Sequence, residues 1–190
     1  MSLRLHTIIA STRPGRVGPA VAKWAHEAAV AHGGFDAHLV DLADFALPVY
    51  NEPNHPRLQK YEHGHTRSWA ESVAAADAYV FVTPEYNFGP TPALLNALNY
   101  VYVEWGYKPA AFVSYGGVSG GMRAVQMTKL ILTTLKVVPL LEGVVVPMVA
   151  QQIKDGAFVA NDLHAQSVSA MLNELQRWAS ALKPMRTPTA

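Results

Sequence analysis

Five short strand-like runs, most of them apolar, alternate along this chain with stretches of helical spacing and constrain it more than any other feature. Leu3 to Ala10, with β-branched Ile8 and Ile9, reads as a strand. Val17 to His32 then places Val17, Val21, Trp24, Ala25 and Ala28 at helical spacing, and Gly33-Gly34 stops it. Phe35 to Leu42, Ala78 to Thr83, Ala110 to Tyr115 and Gly143 to Val149 supply the other strands. Thr66 to Ala76 reads as a helix. Thr91 reads as the N-cap of another, with Pro92 in its first turn and Leu94, Leu95, Leu98 and Val101 on one face. Gly120 or Gly121 opens a helix through Lys136, and Asp162 to Leu182 carries Val168, Met171, Leu172, Leu175, Trp178 and Leu182 at helical spacing.

Strands that are continuously apolar, rather than alternating, belong to a sheet buried on both faces. Five βα units in 190 residues predict an open, doubly wound parallel sheet and are too few for an eight-stranded barrel. We expect residues 1–190 to form a single domain. Ligands of such sheets bind beyond the carboxyl ends of the strands, which directs attention to the loops after the first, third and fourth.

Composition narrows the function classes. Half of the chain is hydrophobic, which excludes a disordered or fibrous protein. Charged residues make up only 15%, and so charge-poor a surface is expected to be partly covered in an oligomer. The formal net charge of +1 offers no basic excess for nucleic acid or anionic membranes. The absence of cysteine removes disulfides, thiol catalysis and metal–thiolate sites. The apolar stretch near the N-terminus runs into Arg13 and Pro14, too short for a signal peptide. Val137 to Ala150 is broken by Glu142, Gly143 and prolines. The expected location is the cytoplasm.

The first loop is Ser11-Thr12-Arg13-Pro14-Gly15-Arg16-Val17-Gly18. It is neither a dinucleotide fingerprint nor a Walker A loop. It gathers hydroxyls, arginines and glycines at a helix N-terminus, where free N–H groups and the helix dipole favour an anion such as a terminal monophosphate. The alternative is an ordinary polar turn. After the third strand, Pro84-Glu85-Tyr86-Asn87-Phe88-Gly89-Pro90 makes a stiff aromatic wall suited to a planar ring, or simply a rigid turn. After the fourth, Ser114-Tyr115-Gly116-Gly117-Val118-Ser119-Gly120-Gly121 lets backbone approach a ligand closely, or is a flexible connection. A phosphate at one loop and a ring at the other two describe a flavin mononucleotide.

On these residues the chain resembles the NADPH-dependent FMN reductase family of flavodoxin-like folds, which includes quinone, azo and chromate reductases. The strongest motif is Pro84-Glu85-Tyr86-Asn87 followed by Pro92, Leu94, Asn96 and Ala97. The family's phosphate loop, Gly-Ser-Leu-Arg-x-Gly-Ser-x-Asn, is matched at Ser11, Arg13 and Gly15, whereas Arg16 and Gly18 replace its second Ser and its Asn. The resemblance implies a three-layer α/β/α fold with a five-stranded parallel sheet in the order 2-1-3-4-5. It implies that Ser11, Thr12, Arg13, Arg16, Val17 and Gly18 bind the phosphate end. It places Pro84, Glu85, Tyr86 and Asn87 along the isoalloxazine ring, with Ser114, Tyr115, Gly116 and Gly117 at its pyrimidine end. It further implies NADPH or NADH as donor, a flavin, quinone or similar small acceptor, and a homodimer or homotetramer.

Flavin chemistry needs no protein nucleophile, so no catalytic side chain is expected, and Glu85 has no partner nearby in sequence for acid–base work. His55, His63 and His65 cluster with Glu52 and Glu62 in the long loop Asp44 to His65, which we expect to rim the site; solvated imidazoles are a better reading than a metal site. Tyr100, Tyr102, Trp105 and Tyr107 suggest core for some and a subunit interface for others. The rival in another class is a flavodoxin-type FMN electron carrier. Such carriers are strongly acidic, unlike this chain.

Overall fold

The structure is a computed structural model describing residues 2–186; residues 1 and 187–190 of the expected domain lie outside the described residues. Strands β1 (Leu3–Ile9), β2 (Phe35–Asp41), β3 (Ala78–Pro84), β4 (Lys108–Tyr115) and β5 (Val137–Val146) form one parallel sheet in the order β2-β1-β3-β4-β5, as expected. Every residue of β3 and β4 is buried. That is why their sequences run largely apolar without alternation, with Thr83, Lys108 and Ser114 as the polar exceptions.

Helices α1 (Gly18–His32) and α5 (Asp162–Leu182) cover one face, where Leu5, Val80 and Val113 meet Val21, Ala25 and Leu175. Helices α2 (Gly64–Ala75), α3 (Pro92–Tyr100) and α4 (Met122–Thr134) cover the other, where Ile8, Phe81 and Phe112 meet Trp69, Leu98 and Leu132. Each such large apolar side chain stabilises the fold by about 1.5–3 kcal/mol on burial. Local signals set the helix ends. Gly33 takes φ 72° after α1, Thr91 Oγ1 accepts from Leu94 N at 3.0 Å ahead of α3, and Asn161 and His164 form a capping box on α5.

Several boundaries differ from the sequence reading, each for a physical reason. Helix α2 starts at Gly64, before Thr66, and the buried Glu52 fixes the chain just ahead of it by accepting from the N–H groups of Glu62 (2.8 Å) and His63 (3.1 Å). Glu52 is thereby a capping group for the loop, and no metal-binding cluster occurs among the described residues. Helix α3 stops at Tyr100, so Val101 is extended, and Leu95 is partly exposed. Strand β5 begins at Val137 and ends at Val146, whereas Gly143 to Val149 was expected. Its register against β4 slips between Pro139 and Gly143, where Ala111 alone faces Leu140, Leu141 and Glu142. This bulge breaks the apolar pattern and leaves Leu141 88% exposed. A short hairpin, β6 (Ile153–Lys154) and β7 (Ala157–Phe158), was not foreseen.

The long loop is tied down rather than loose. Asn96 donates to Pro48 O (2.6 Å) and accepts from Tyr50 N (3.0 Å), and Tyr61 donates to Glu104 at 2.9 Å. Tyr100 and Trp105 are fully buried, which removes them from any interface; Tyr102 holds Arg57 at 2.9 Å. No helix of the described residues is long and apolar enough to cross a membrane.

Candidate functional site

The strand order reverses between β1 and β3, so the loops after them diverge and open a crevice at the carboxyl edge. The loop after β4 lies next along the same edge. All three loops singled out in the sequence therefore meet on one side of the sheet.

In the first loop, the N–H groups of Ser11, Thr12, Arg13, Gly15, Val17 and Gly18 find no hydrogen-bond acceptor among the described residues, whereas Arg16 N–H donates to Arg13 O at 3.2 Å. Arg13 is exposed and makes no ion pair among the described residues; its guanidinium carbon lies 6.0 Å from the Tyr86 ring centroid. Arg16 behaves differently. Its guanidinium meets both oxygens of Asp41, at 2.9 and 2.5 Å, and also donates to the Ser11 carbonyl oxygen. Within the sequence no acid precedes Glu27, but the fold brings Asp41 in from the end of β2.

Ser11 and Tyr115 face each other beneath this loop. Ser11 is fully buried, Tyr115 nearly so, and their hydroxyl oxygens are 3.2 Å apart. Burial, opposed by the Ser11 hydrogen bond, pushes the Tyr115 phenol up to about 12, so it remains protonated. A Cβ on Gly18 would stand 2.6 Å from both the Ser11 and the Tyr115 hydroxyl oxygen. Any side chain at position 18 would therefore meet both hydroxyls.

The second loop is a tight reversal. Tyr86 N–H donates to Gly89 O (3.0 Å) and Gly89 N–H to Tyr86 O (2.9 Å), with Asn87 at φ 48° and Phe88 at φ 70°. Two consecutive left-handed residues are the signature of a mirror-image hairpin turn, and an aromatic residue held there is strained. Phe88 is 62% exposed and carries the Arg123 guanidinium 3.8 Å from its ring centroid. Pro84 is buried in the end of β3. Glu85 is not free for acid–base work. It accepts from Arg123 N (3.1 Å) and Nε (2.9 Å). Burial alone would raise its carboxyl, but the bonds from Arg123 and Ser119 outweigh it and hold it below the usual range. The pair ties the second loop to the first turn of α4.

In the third loop, Gly116 N–H is spent on Val146 O at 3.2 Å, while those of Gly117, Val118 and Ser119 have no acceptor among the described residues. Gly121 opens α4 at φ 86°, where a Cβ would lie 3.0 Å from Tyr115 backbone; only glycine fits. Ser114 Oγ is buried without a partner among the described residues, beside a cavity of about 200 Å³ between α4 and the β5 bulge. The structure thus brings the backbones of the predicted residues together, but it sends the side chains of Ser11, Ser114 and Tyr115 beneath the loops.

The start of the long loop, expected to rim the site, borders this edge, but the cavity it encloses there escaped sequence reasoning. A cavity of about 840 Å³ flanks Thr12, between Leu42, Leu47 and Val49 on one side and Pro92, Ala93 and Leu95 on the other. The apolar residues of the segment 42–49, unusual in a loop, were the available signal.

The donor set fits FMN. The unpartnered N–H groups and Arg13 suit a phosphate, the close approach required at Gly18 leaves backbone in front of it, and Tyr86, Asn87 and the third-loop N–H groups offer a flat face with polar edges. Fold and edge together define a flavodoxin-like domain: the flavoenzyme NAD(P)H:(acceptor) oxidoreductase FerB from Paracoccus denitrificans superposes with a TM-score of 0.74 at 20% identity, over 95% of this chain and 98% of that one. The family model described as NADPH-dependent FMN reductase matches residues 3–151, and the chain belongs to that family. An NAD(P)H-dependent FMN reductase of Schizosaccharomyces pombe is 40% identical over 126 residues, 65% of this chain and 63% of that protein. Another, from Nectria sp, is 38% identical over 127 residues, 64% of this chain and 63% of its own length. The chain therefore spans somewhat less than two thirds of these relatives.

Proposed function

We propose that this chain, as a single domain, is an FMN-dependent NAD(P)H oxidoreductase that passes two electrons from NADPH or NADH to a flavin, quinone or similar small acceptor. The observation that carries the reading is the convergence at one sheet edge of a donor-lined loop with an uncommitted arginine, a strained aromatic turn and a glycine-rich loop with spare N–H groups. Family membership supports it. FMN, when bound, accepts a hydride and releases two electrons. The protein's part is to hold it. Arg13 and the first-loop N–H groups bind the phosphate, Tyr86 and Asn87 line the ring, and Gly117, Val118 and Ser119 donate to its polar edge. No side chain has to move a proton, and Glu85 stays ionised against Arg123.

We further propose a cytoplasmic homodimer or homotetramer. Exposed apolar side chains at Phe88, Met122, Met127, Leu130 and Leu141 support it, in place of the buried Tyr100 and Trp105. Sedimentation at micromolar concentration tests the assembly, and a predominant species at the 20.6 kDa chain mass would refute it. The function is tested by adding NADPH anaerobically to the FMN-loaded protein and following the flavin absorbance. An FMN spectrum that neither NADPH nor NADH changes would favour a flavodoxin-type carrier.

A further inference from the structure

Arg16 stands in the phosphate loop, yet its charge is already matched. The Asp41 carboxylate takes both of its terminal nitrogens, and both side chains are less than one fifth exposed, at 17% and 19%. The same guanidinium donates to the Ser11 carbonyl oxygen. The same carboxylate accepts from Ala43 N at 2.9 Å, which starts the turn Leu42–Phe45. Leu42 and Ala43 wall the large cavity beside Thr12.

A lone carboxylate at this spot would repel a phosphate, and a lone guanidinium would draw one. Joined bidentately they do neither to first order, because the pair is neutral. What remains is mechanical. The pair fixes the peptide after Ser11 from one side, while the Ser11 and Tyr115 hydroxyls fix the loop from beneath. Between these anchors lies the run of unpartnered N–H groups.

We propose that Asp41 and Arg16 act together as positioning residues for FMN. They bridge the end of β2 to the phosphate loop and hold its donors in place, while Arg13 supplies the charge that faces the phosphate. This rests on the assignment of the first loop to the FMN phosphate. Asp41 lies outside the loop, where no loop motif would find it.

The experiment is a titration of the apo-protein with FMN, read by flavin fluorescence at low and high salt. It uses the wild type, Arg16→Gln, Asp41→Asn, the double variant, Asp41→Glu and Arg13→Ala. Each of the first two substitutions should weaken FMN binding about tenfold, and the double variant should bind no more weakly than either. The salt dependence of the double variant should match the wild type, since the pair carries no net charge, whereas Arg13→Ala should flatten it. Asp41→Glu should restore part of the loss. Far-UV circular dichroism of each apo-variant separates a displaced loop from a lost fold, and should Asp41→Asn not fold, Asp41→Glu and Arg16→Gln carry the comparison. Tighter binding in Asp41→Asn, a flattened salt dependence in the double variant, or additive losses in the double variant would overturn the proposal. Absence of FMN binding by the wild type would instead remove the loop assignment, and the proposal with it.

Discussion

The hydroxyls of Ser11 and Tyr115 meet 3.2 Å apart beneath the first loop, joining the end of β1 to the end of β4 across the intervening strand. Removing this bond should be felt at the loop before it is felt in the core. Tyr115→Phe keeps the ring and leaves the Ser11 hydroxyl buried and alone, which should cost about 1 kcal/mol of stability and weaken FMN binding severalfold. Gly18→Ala should do more damage, since a methyl group there displaces both hydroxyls. Urea unfolding and FMN titration of the two variants check the order.

Arg13 should matter most for the phosphate. Arg13→Ala removes the uncommitted guanidinium of the loop without touching a buried contact, so the fold should stay intact. Loss of one charge-assisted hydrogen bond should cost about 1.5–3 kcal/mol, roughly tenfold or more in FMN affinity. Unchanged affinity would move the phosphate elsewhere.

Glu85→Gln tests the assignment of no catalytic side chain. Its carboxylate is engaged by Arg123, so the substitution should lower stability by roughly 1 kcal/mol while kcat of the FMN-loaded protein changes by only a fewfold. A hundredfold fall in kcat with FMN still bound would make Glu85 a proton-transfer group.

Acid should destabilise the chain through His6. Burial first, then the neighbouring His38, Arg4 and Lys108, push its imidazole down to about 4, against 6.5 for the free side chain. Between those values the unfolded chain binds the proton and the folded one does not. The contribution is complete above pH 6.5 and is lost as pH falls towards 4, by about 2 kcal/mol once residual solvation of the ring is allowed for. Urea midpoints of the wild type should fall across this window, and those of His6→Gln should fall less. Equal slopes would place the acid sensitivity in other groups.

The fold was legible because β3 and β4 are buried at every position and therefore largely apolar, with Thr83, Lys108 and Ser114 near their ends as exceptions, and because Thr91-Pro92 and Gly33 mark helix ends by local chemistry. Strand β5 was misplaced because its bulge inserts Leu141 and Glu142 against a single partner, and a bulge is set by pairing rather than by local propensity. The three loops were legible as glycine, proline and hydroxyl clusters. The partner of Arg16 was not, since Asp41 lies 25 positions away and only the parallel pairing of β1 with β2 brings it near. The same holds for Tyr115, whose ring turns under the first loop, and for Glu85, whose partner sits on α4.

Whether this edge holds FMN and takes electrons from a nicotinamide is decided by anaerobic stopped-flow mixing of the FMN-loaded protein with NADPH, followed by a quinone. The expected result is a flavin absorbance that NADPH bleaches and the quinone restores, in a ping-pong pattern in which donor and acceptor follow one another. A flavin absorbance that neither NADPH nor NADH bleaches would contradict it.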